Sequence, residues 1–464
     1  MYPLDPSPEQ MREMGGAAVA YVAEFFHGLD EAPASNTEGA WDLAHRLRAM
    51  PSEDGGLFEE VLADVREAAA NAYEPAGPGY LAYIPGGGLF AAALGDFLAL
   101  AVNRYVGLAA PSPAVVQIEE NVARWMCSLF GWDEGSQGLL TSGGSVANFS
   151  AMVAARHAKL GEEFGGGTYY VSEQAHASVT KAATLAGFTK RNVRIVPTDA
   201  ELRMDPDALR RMVEEDLARG HRPFLVAPSA GTTNTGAIDP LDAVADVAEA
   251  HGMWMHVDAA YGGFFVLTER GRERFRGIER ADSVTLDPHK GMFLPYGTGA
   301  LVVRDGENLR QAHYEGAAYL QDLATAGELP NYSEYSAELS REWRGLRVWL
   351  PLKLHGVSAF RDALDEKLDL TQVLYEGLKA IPELELPWQP QLTVVPFRLR
   401  DGDAEANKRL LERINASKRV FLSSTLVHDD YTIRACIVVH RTHRDRIDEC
   451  VEIVRAAVSE VVGG

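Results

Sequence analysis

Apolar positions in SPEQMREMGGAAVAYVAEFFHGL recur at helical spacing, and Ser7 followed by Pro8 supplies a start signal. After the breaker-rich stretch APASNTEG a second helix is predicted from about Leu57. Such a pair cannot bury its apolar stripe alone and must pack on something. From about Phe90 to Leu346 the pattern alternates between strands and helices. Its clearest unit is FLVAP (Phe224–Pro228), then DPLDAVADVAEAHG, then MWMHVD (Met253–Asp258). Asp239 is the expected N-cap of the helix, Pro240 its first residue and Gly252 its stop, with Leu241, Val244, Ala245 and Ala248 as the buried stripe. Strand, helix and strand at this spacing predict a right-handed parallel crossover. Asp258 then emerges at the carboxyl end of its strand, where open α/β sheets bind ligands.

The last 115 or so residues change character. LTVVPFRLR reads as a strand and ANKRLLERINAS as a helix. FLSSTLVHDDYTIRACIVV reads as a hairpin turning near Asp429–Asp430, and a final amphipathic helix opens with a Thr442-x-x-Asp445 capping pattern. The expectation is an α/β protein with a mostly parallel sheet, divided into a helical arm (1–89), a large α/β domain (90–346) and a small α+β domain (347–464).

Composition narrows the class. With 464 residues and 46% hydrophobic content the chain can bury a large core. Its 44 basic and 66 acidic residues give a net charge of −22. That disfavours nucleic acid and anionic membranes as partners, because both require a basic face. The three cysteines have no metal-like spacing and cannot form a disulfide framework. No basic region precedes the first apolar run, and Glu13 and Glu24 interrupt the apolar positions of that region. Between Pro75 and Gly95 no residue is charged, but prolines and glycines exclude a spanning helix. A cytoplasmic protein is expected.

The chemistry is concentrated in five segments. DPHK (Asp287–Lys290) places a lysine after a strand, and HVDAAYGG (His256–Gly263) places an acid at the end of another. An amine and a carboxylate in such positions suit pyridoxal 5'-phosphate (PLP): one forms a Schiff base, the other keeps the pyridine nitrogen protonated. TSGGSVAN (Thr141–Asn148) reads as a phosphate cup, since Gly143 and Gly144 admit close approach and Ser145 lies at a helix N-terminus. The same stretch fits a G-x-S-x-A nucleophile motif, but no other segment requires a serine nucleophile. SEQAHASV (Ser172–Val179) and GTTNTGAID (Gly231–Asp239) complete the set. HRTH (His440–His443) has helical metal spacing but no third ligand, and is read as surface.

In that order the five segments resemble the group II PLP-dependent decarboxylases, most nearly the aromatic L-amino acid branch, from about Gly79 to the C-terminal helix. The resemblance implies a fold-type I enzyme, aspartate aminotransferase-like, whose N-terminal arm packs on a partner subunit, hence a homodimer. It implies Lys290 as the Schiff-base lysine, Asp258 as the partner of the ring nitrogen, and His176 stacked on the ring. It also implies Ser283 and His289 at the phosphate, Thr233 near the phenolic oxygen, and Gly144, Ser145 and Ala260 lining the cofactor. Asp305–Tyr335 is polar and long, with glycines at Gly316 and Gly327, and is expected to form a lid. By its distance from Lys290 and its Tyr-Leu pair, Tyr319 matches the loop tyrosine that returns a proton to Cα after carbon dioxide leaves. Phenylalanine there marks aldehyde-forming relatives.

PGYLAYIPGGG and RYVGLAAPSP match the family's substrate-pocket segments. Tyr83 and Pro85 are kept. Ile84, Gly86 and Gly107 replace bulkier residues, which is expected to widen the pocket, and Tyr105 is expected to restore aromatic area from the partner subunit. Ser340 matches a position where serine accompanies phenolic substrates. Arg104 keeps an acidic amino acid open as substrate. The implied activity is decarboxylation of an aromatic L-amino acid. An acidic-substrate decarboxylase, an aldehyde synthase and a non-catalytic PLP-binding dimer are the alternatives.

Overall fold

The structure is a computed structural model that describes residues 4–315 and 328–463. Its N-terminal arm starts as expected. Ser7 and Gln10 form a reciprocal capping box at the head of α1 (Pro8–Gly28), with Pro8 in the first turn. A helix that the pattern did not predict, α2 (Ala40–Arg46), follows Gly39, whose φ of 74° suits glycine. Then come α3 (Phe58–Ala70), α4 (Phe90–Val102) and α5 (Pro113–Ser128). The stretch between α3 and α4 joins the far end of the chain: the Leu81 amide donates to Phe421, and Cys436 donates to Leu81.

A seven-stranded sheet carries the middle of the molecule. Its strands are β1 (Gln137–Thr141), β2 (Gly167–Ser172), β3 (Val193–Val196), β4 (Arg222–Ala227), β5 (Trp254–Asp258), β6 (Ser283–Leu286) and β7 (Gly299–Val303), in the order β1-β7-β6-β5-β4-β2-β3. β2 to β6 are mutually parallel, and β7 runs against both of its neighbours. Strands β1, β2, β5, β6 and β7 are buried along their whole length, as continuous apolar runs predict for a covered sheet. Helices α6 (Gly144–Leu160), α7 (Ala177–Leu185), α8 (Pro206–Ala218), α9 (Leu241–Ala250), α10 (Glu269–Arg274) and α11 (Pro288–Gly291) connect the strands, and α12 (Gly306–His313) follows the last of them.

Two expectations for this region need correction. Asp239 does not cap α9, which has Pro240 at its N-cap. The carboxylate instead accepts the amides of Met204 and Ser229, at 2.7 Å each, and burial raises its pKa to about 6. It ties β4's exit to a distant loop, which local sequence cannot reveal. Asp305, expected to begin an irregular lid, caps α12 through the Glu307 amide. The described residues of that segment after α12 are 314–315 and 328–335, which include a short 3₁₀ turn at Tyr332–Glu334.

The chain then enters α13 (Gly345–Lys379), bent at Gly356, where φ is 74°. The expected boundary at 346/347 thus falls inside a helix. A four-stranded antiparallel sheet follows, with order β10-β11-β9-β8, from β8 (Leu384–Glu385), β9 (Val394–Leu399), β10 (Ser423–Val427) and β11 (Asp430–Cys436). Helices α14 (Ala404–Asn415) and α15 (Arg444–Gly463) complete it. The hairpin turns at His428–Asp429, both with positive φ, one residue earlier than predicted. Thr442 does not cap α15, because its hydroxyl donates to the Pro78 carbonyl at 2.8 Å. Of the two histidines expected on the surface, only His443 is there, paired with Glu366. His440 packs on Phe293, its ring 5.4 Å away, and its buried Nδ1 has no partner.

Candidate active site

At the carboxyl ends of β1, β4, β5 and β6 lies a cavity of about 270 Å³. Gly144, Ser145, His176, Thr233, Asp258, Ala260, His289 and Lys290 line it together, so eight residues expected at the cofactor meet in one place. β6 ends at Leu286 and α11 follows at once, delivering His289 and Lys290 to the cavity. Gly143 is the N-cap of α6, and the Gly144 and Ser145 amides at its head have no helical partner, an arrangement able to accept an anion.

Asp258 ends β5 and is 8% exposed. Its Oδ1 accepts the Ala260 amide at 3.2 Å and its Oδ2 accepts the Asn148 side-chain amide at 3.2 Å. Asn148 Oδ1 in turn accepts the Thr285 hydroxyl at 2.7 Å and faces His256 Nε2 at 3.0 Å. Because that oxygen only accepts, Nε2 carries the hydrogen, and Nδ1 accepts the Ser283 hydroxyl at 2.8 Å. Trp254 Nε1 donates to the same Ser283 oxygen at 2.8 Å. Burial pushes the His256 pKa down against the pull of Asp258, which fits a neutral ring. A chain of donors from Trp254 through Ser283, His256 and Asn148 thus points at the Asp258 carboxylate.

That chain corrects one expectation. Ser283 does not line the cavity: it is fully buried at the start of β6, three hydrogen bonds behind Asp258. A strand hydroxyl facing a tryptophan and a histidine has nothing left to offer a phosphate.

His176 caps α7 by accepting the Ser178 amide at Nδ1, so it is at once a helix cap and a wall of the cavity. His289 donates from Nδ1 to the Thr298 carbonyl at 2.7 Å, and burial, with Lys290 nearby, lowers its pKa despite Asp287. Thr233 lies in the turn after Gly231, whose φ of 100° and whose contacts with Leu392 and Tyr261 exclude a side chain. Lys290 Nζ lies 2.7 Å from Asp287 Oδ2. Asp287 and Asn148 sit inside the DPHK and TSGGSVAN segments, yet sequence reasoning gave them no part. Their spacing to Lys290 and to the cup was the available signal.

The residues expected to contact substrate lie outside this cavity. Tyr83 is 56% exposed with φ of 54°, and its backbone is held by Ser423 and Arg434. Pro85 is buried two residues further on. Tyr105 donates its hydroxyl to the Leu339 carbonyl at 3.1 Å, beside the exposed Ser340. Gly86 and Gly107 do not simply widen the pocket. A Cβ on Gly86 would clash with the His289 carbonyl, and one on Gly107 with the Tyr105 hydroxyl. Tyr319 lies outside the described residues.

The donor set fits PLP: a reachable amine, a carboxylate oriented by two N–H donors, and a cup where a Cβ on Gly144 would lie only 3.0 Å from Asp287. Sheet, small antiparallel layer and site together define a fold-type I PLP enzyme. The profile of the pyridoxal-dependent decarboxylase conserved domain matches residues 45–400, and the chain belongs to that family. It is therefore a PLP-dependent carboxy-lyase acting on an amino acid. An aromatic-L-amino-acid decarboxylase of Bacillus atrophaeus is 33% identical over 468 residues, covering 99% of this chain and 97% of the relative. A phenylacetaldehyde synthase of Petunia hybrida is 28% identical, covering 97% and 94%. Oryza sativa TDC, solved with PLP and tryptamine, superposes with a TM-score of 0.93 at 26% identity, covering 99% of both chains.

Proposed function

We propose that this chain decarboxylates an aromatic L-amino acid to its amine and carbon dioxide, as a cytoplasmic homodimer. The observation that carries the reading is Lys290 and Asp258 opening on one cavity, beside the cup at the start of α6. Lys290 would hold PLP covalently, Asp258 would pair with its ring nitrogen, and the Gly144 and Ser145 amides would take its phosphate. When bound, PLP supplies a sink for the electrons left on Cα as carbon dioxide departs.

The protein's own residues orient the groups and move the proton. Asn148 and the Ala260 amide fix the plane of the Asp258 carboxylate. His176 is held by its cap to Ser178, so its ring is fixed at the cavity wall. Tyr319 is assigned as the acid that returns a proton to Cα, with His176 as a relay. Ser340 and Tyr105, adjacent through Leu339, are assigned with Tyr83 and Pro85 to the substrate wall.

The homodimer rests on unpartnered apolar side chains. Phe97, Leu98 and Leu100 on α4, and Val61 and Val65 on α3, are all exposed in the single chain. No helix among the described residues is long and apolar enough to cross a membrane. Arm, large domain and small domain are proposed as the three structural units, with α13 bridging the last two.

Carbon dioxide release from a panel of L-amino acids tests the reading. The expected outcome is the highest kcat/KM on phenolic and other aromatic substrates, with the amine as product. A second reading, aldehyde formation, draws on the phenylacetaldehyde synthase among the relatives. Ammonia and peroxide appearing with the carbon dioxide would favour it. Release confined to acidic substrates, or none at all, would overturn the proposal.

A further inference from the structure

We infer that Asp287 is a fixed anion in the phosphate cup, which lowers the protein's hold on its cofactor while keeping the Lys290 amine in place. The inference rests on the PLP reading above and deepens it. Asp287 is almost wholly buried, at the head of α11, and caps nothing. Its Oδ2 lies 2.7 Å from Lys290 Nζ and 3.7 Å from His289 Nε2. Its Oδ1 is buried with no hydrogen-bond partner. From α6, a Cβ on Gly144 would lie 3.0 Å from Oδ2 and 3.3 Å from Oδ1, so the carboxylate rests against the first residue of that helix. Among the described residues, Lys290 and His289 from α11 are the basic groups within 4 Å of it.

A buried carboxylate oxygen without a donor is rare in folded proteins. Here it faces a site built for an anion. An incoming phosphate brings further negative charge and further acceptors into a cup that already holds a carboxylate. A free phosphate then competes with the carboxylate for the Lys290 ammonium, and the phosphate of a bound cofactor shares with it the same positive helix end. The carboxylate therefore raises the cost of phosphate binding. In the cofactor-free protein it does the reverse service for Lys290, giving the ammonium a partner and a fixed position. Removing the charge while keeping the shape acts in one direction only: the cup becomes more positive, and Lys290 loses the partner that the phosphate would have to displace.

The test uses the full-length protein stripped of cofactor, as wild type and as Asp287→Asn, with Asp287→Glu as the charge-keeping control. Inorganic phosphate is titrated by calorimetry, and the loss of bound PLP on dilution is followed by visible absorption. Asp287→Asn is expected to bind phosphate roughly tenfold more tightly and to lose PLP roughly tenfold more slowly. Asp287→Glu should stay as weak as wild type. If Asp287→Asn does not fold, Asp287→Ser carries the same expectation. Phosphate binding that is unchanged or weaker in a folded neutral variant overturns the inference. So does an absence of phosphate binding in every form. Should borohydride fix no PLP onto Lys290 in any form, the decarboxylase reading fails instead, and the phosphate titration still decides the role of Asp287.

Discussion

Helices α1 and α6 both begin with a well-marked N-terminus, yet they end in different surroundings. The 21 residues of α1 include none that is buried, while nine of the 17 in α6 are. α6 packs against the strands of the central sheet, with its first residues at their carboxyl ends, and holds Gly144, Asn148 and Ser150 out of water. α1, α3 and the outer face of α4 present Met11, Val19, Val61, Val65 and Phe97 to it. An apolar stripe thus specifies a helix, and it does not say which surface covers it. In the sheet region the cover is supplied by the same chain, so a change there should cost chemistry. In the arm the cover is missing from the single chain, so a change should cost assembly.

The largest effect is expected where α11 meets the cavity. Lys290→Ala removes the cavity's amine and leaves Asp258, Asn148 and the cup untouched. Visible absorption of lysine-bound PLP should vanish, and turnover should fall to background, while far-ultraviolet circular dichroism and the dimer persist. A variant that kept its visible absorption after dialysis would place the anchoring amine elsewhere.

Phe97→Asp turns the comparison to the arm. Phe97 is 64% exposed, whereas the opposite face of α4 is locked to α13 by Asp96 and Arg347 and by the close contact of Gly95 with Leu346. A charge placed on the face assigned above to the proposed dimer should cost about 2 kcal/mol or more, roughly thirtyfold in dimer Kd. Sedimentation should show monomers whose circular dichroism is that of wild type. An unchanged dimer would mean that this face is not the interface.

How much of this was legible depended on whether a residue's role is local. The start of α1 at Ser7 and Pro8, the glycine-led start of α6 at Gly143–Ser145 and the strand-end positions of Asp258 and Lys290 follow from neighbours within a few residues, and sequence reasoning reached them. Asp239 and Thr442 were assigned local capping roles and Ser283 a place at the phosphate, and all three have distant partners instead: Met204 and Ser229, Pro78, and Trp254 and His256. Gly86 and Gly107 were read as added space, but the main chain of His289 and the ring of Tyr105 occupy it. Side-chain size in a sequence measures volume only after the neighbours are known.

The smallest effect tests the cost of burial on the sheet side, at His440. It packs against Phe293, where a Cβ on Gly87 would collide with its ring, and its Nδ1 has no donor or acceptor. Burial lowers its pKa to about 3, and the neighbouring cations Arg441 and Lys367 add to the shift. In the unfolded chain a histidine titrates near 6.5. Between those two values the unfolded state binds more protons than the folded one, so stability falls as pH drops from about 6.5 toward 3. Above about 6.5 both states are neutral and the group contributes no slope. His440→Gln keeps a polar planar side chain that cannot be protonated. It should therefore match wild type within about 0.5 kcal/mol at pH 8 and gain about 1–2 kcal/mol relative to it at pH 5. Urea unfolding of both proteins at the two pH values, with PLP at the same saturation, measures the difference. The buried His256, also held neutral, should leave a residual acid slope in the variant. Parallel stability curves from pH 8 to 5 would mean that His440 accepts its proton in the folded state, and that its pocket opens to water more readily than the packing around Phe293 and Gly87 implies.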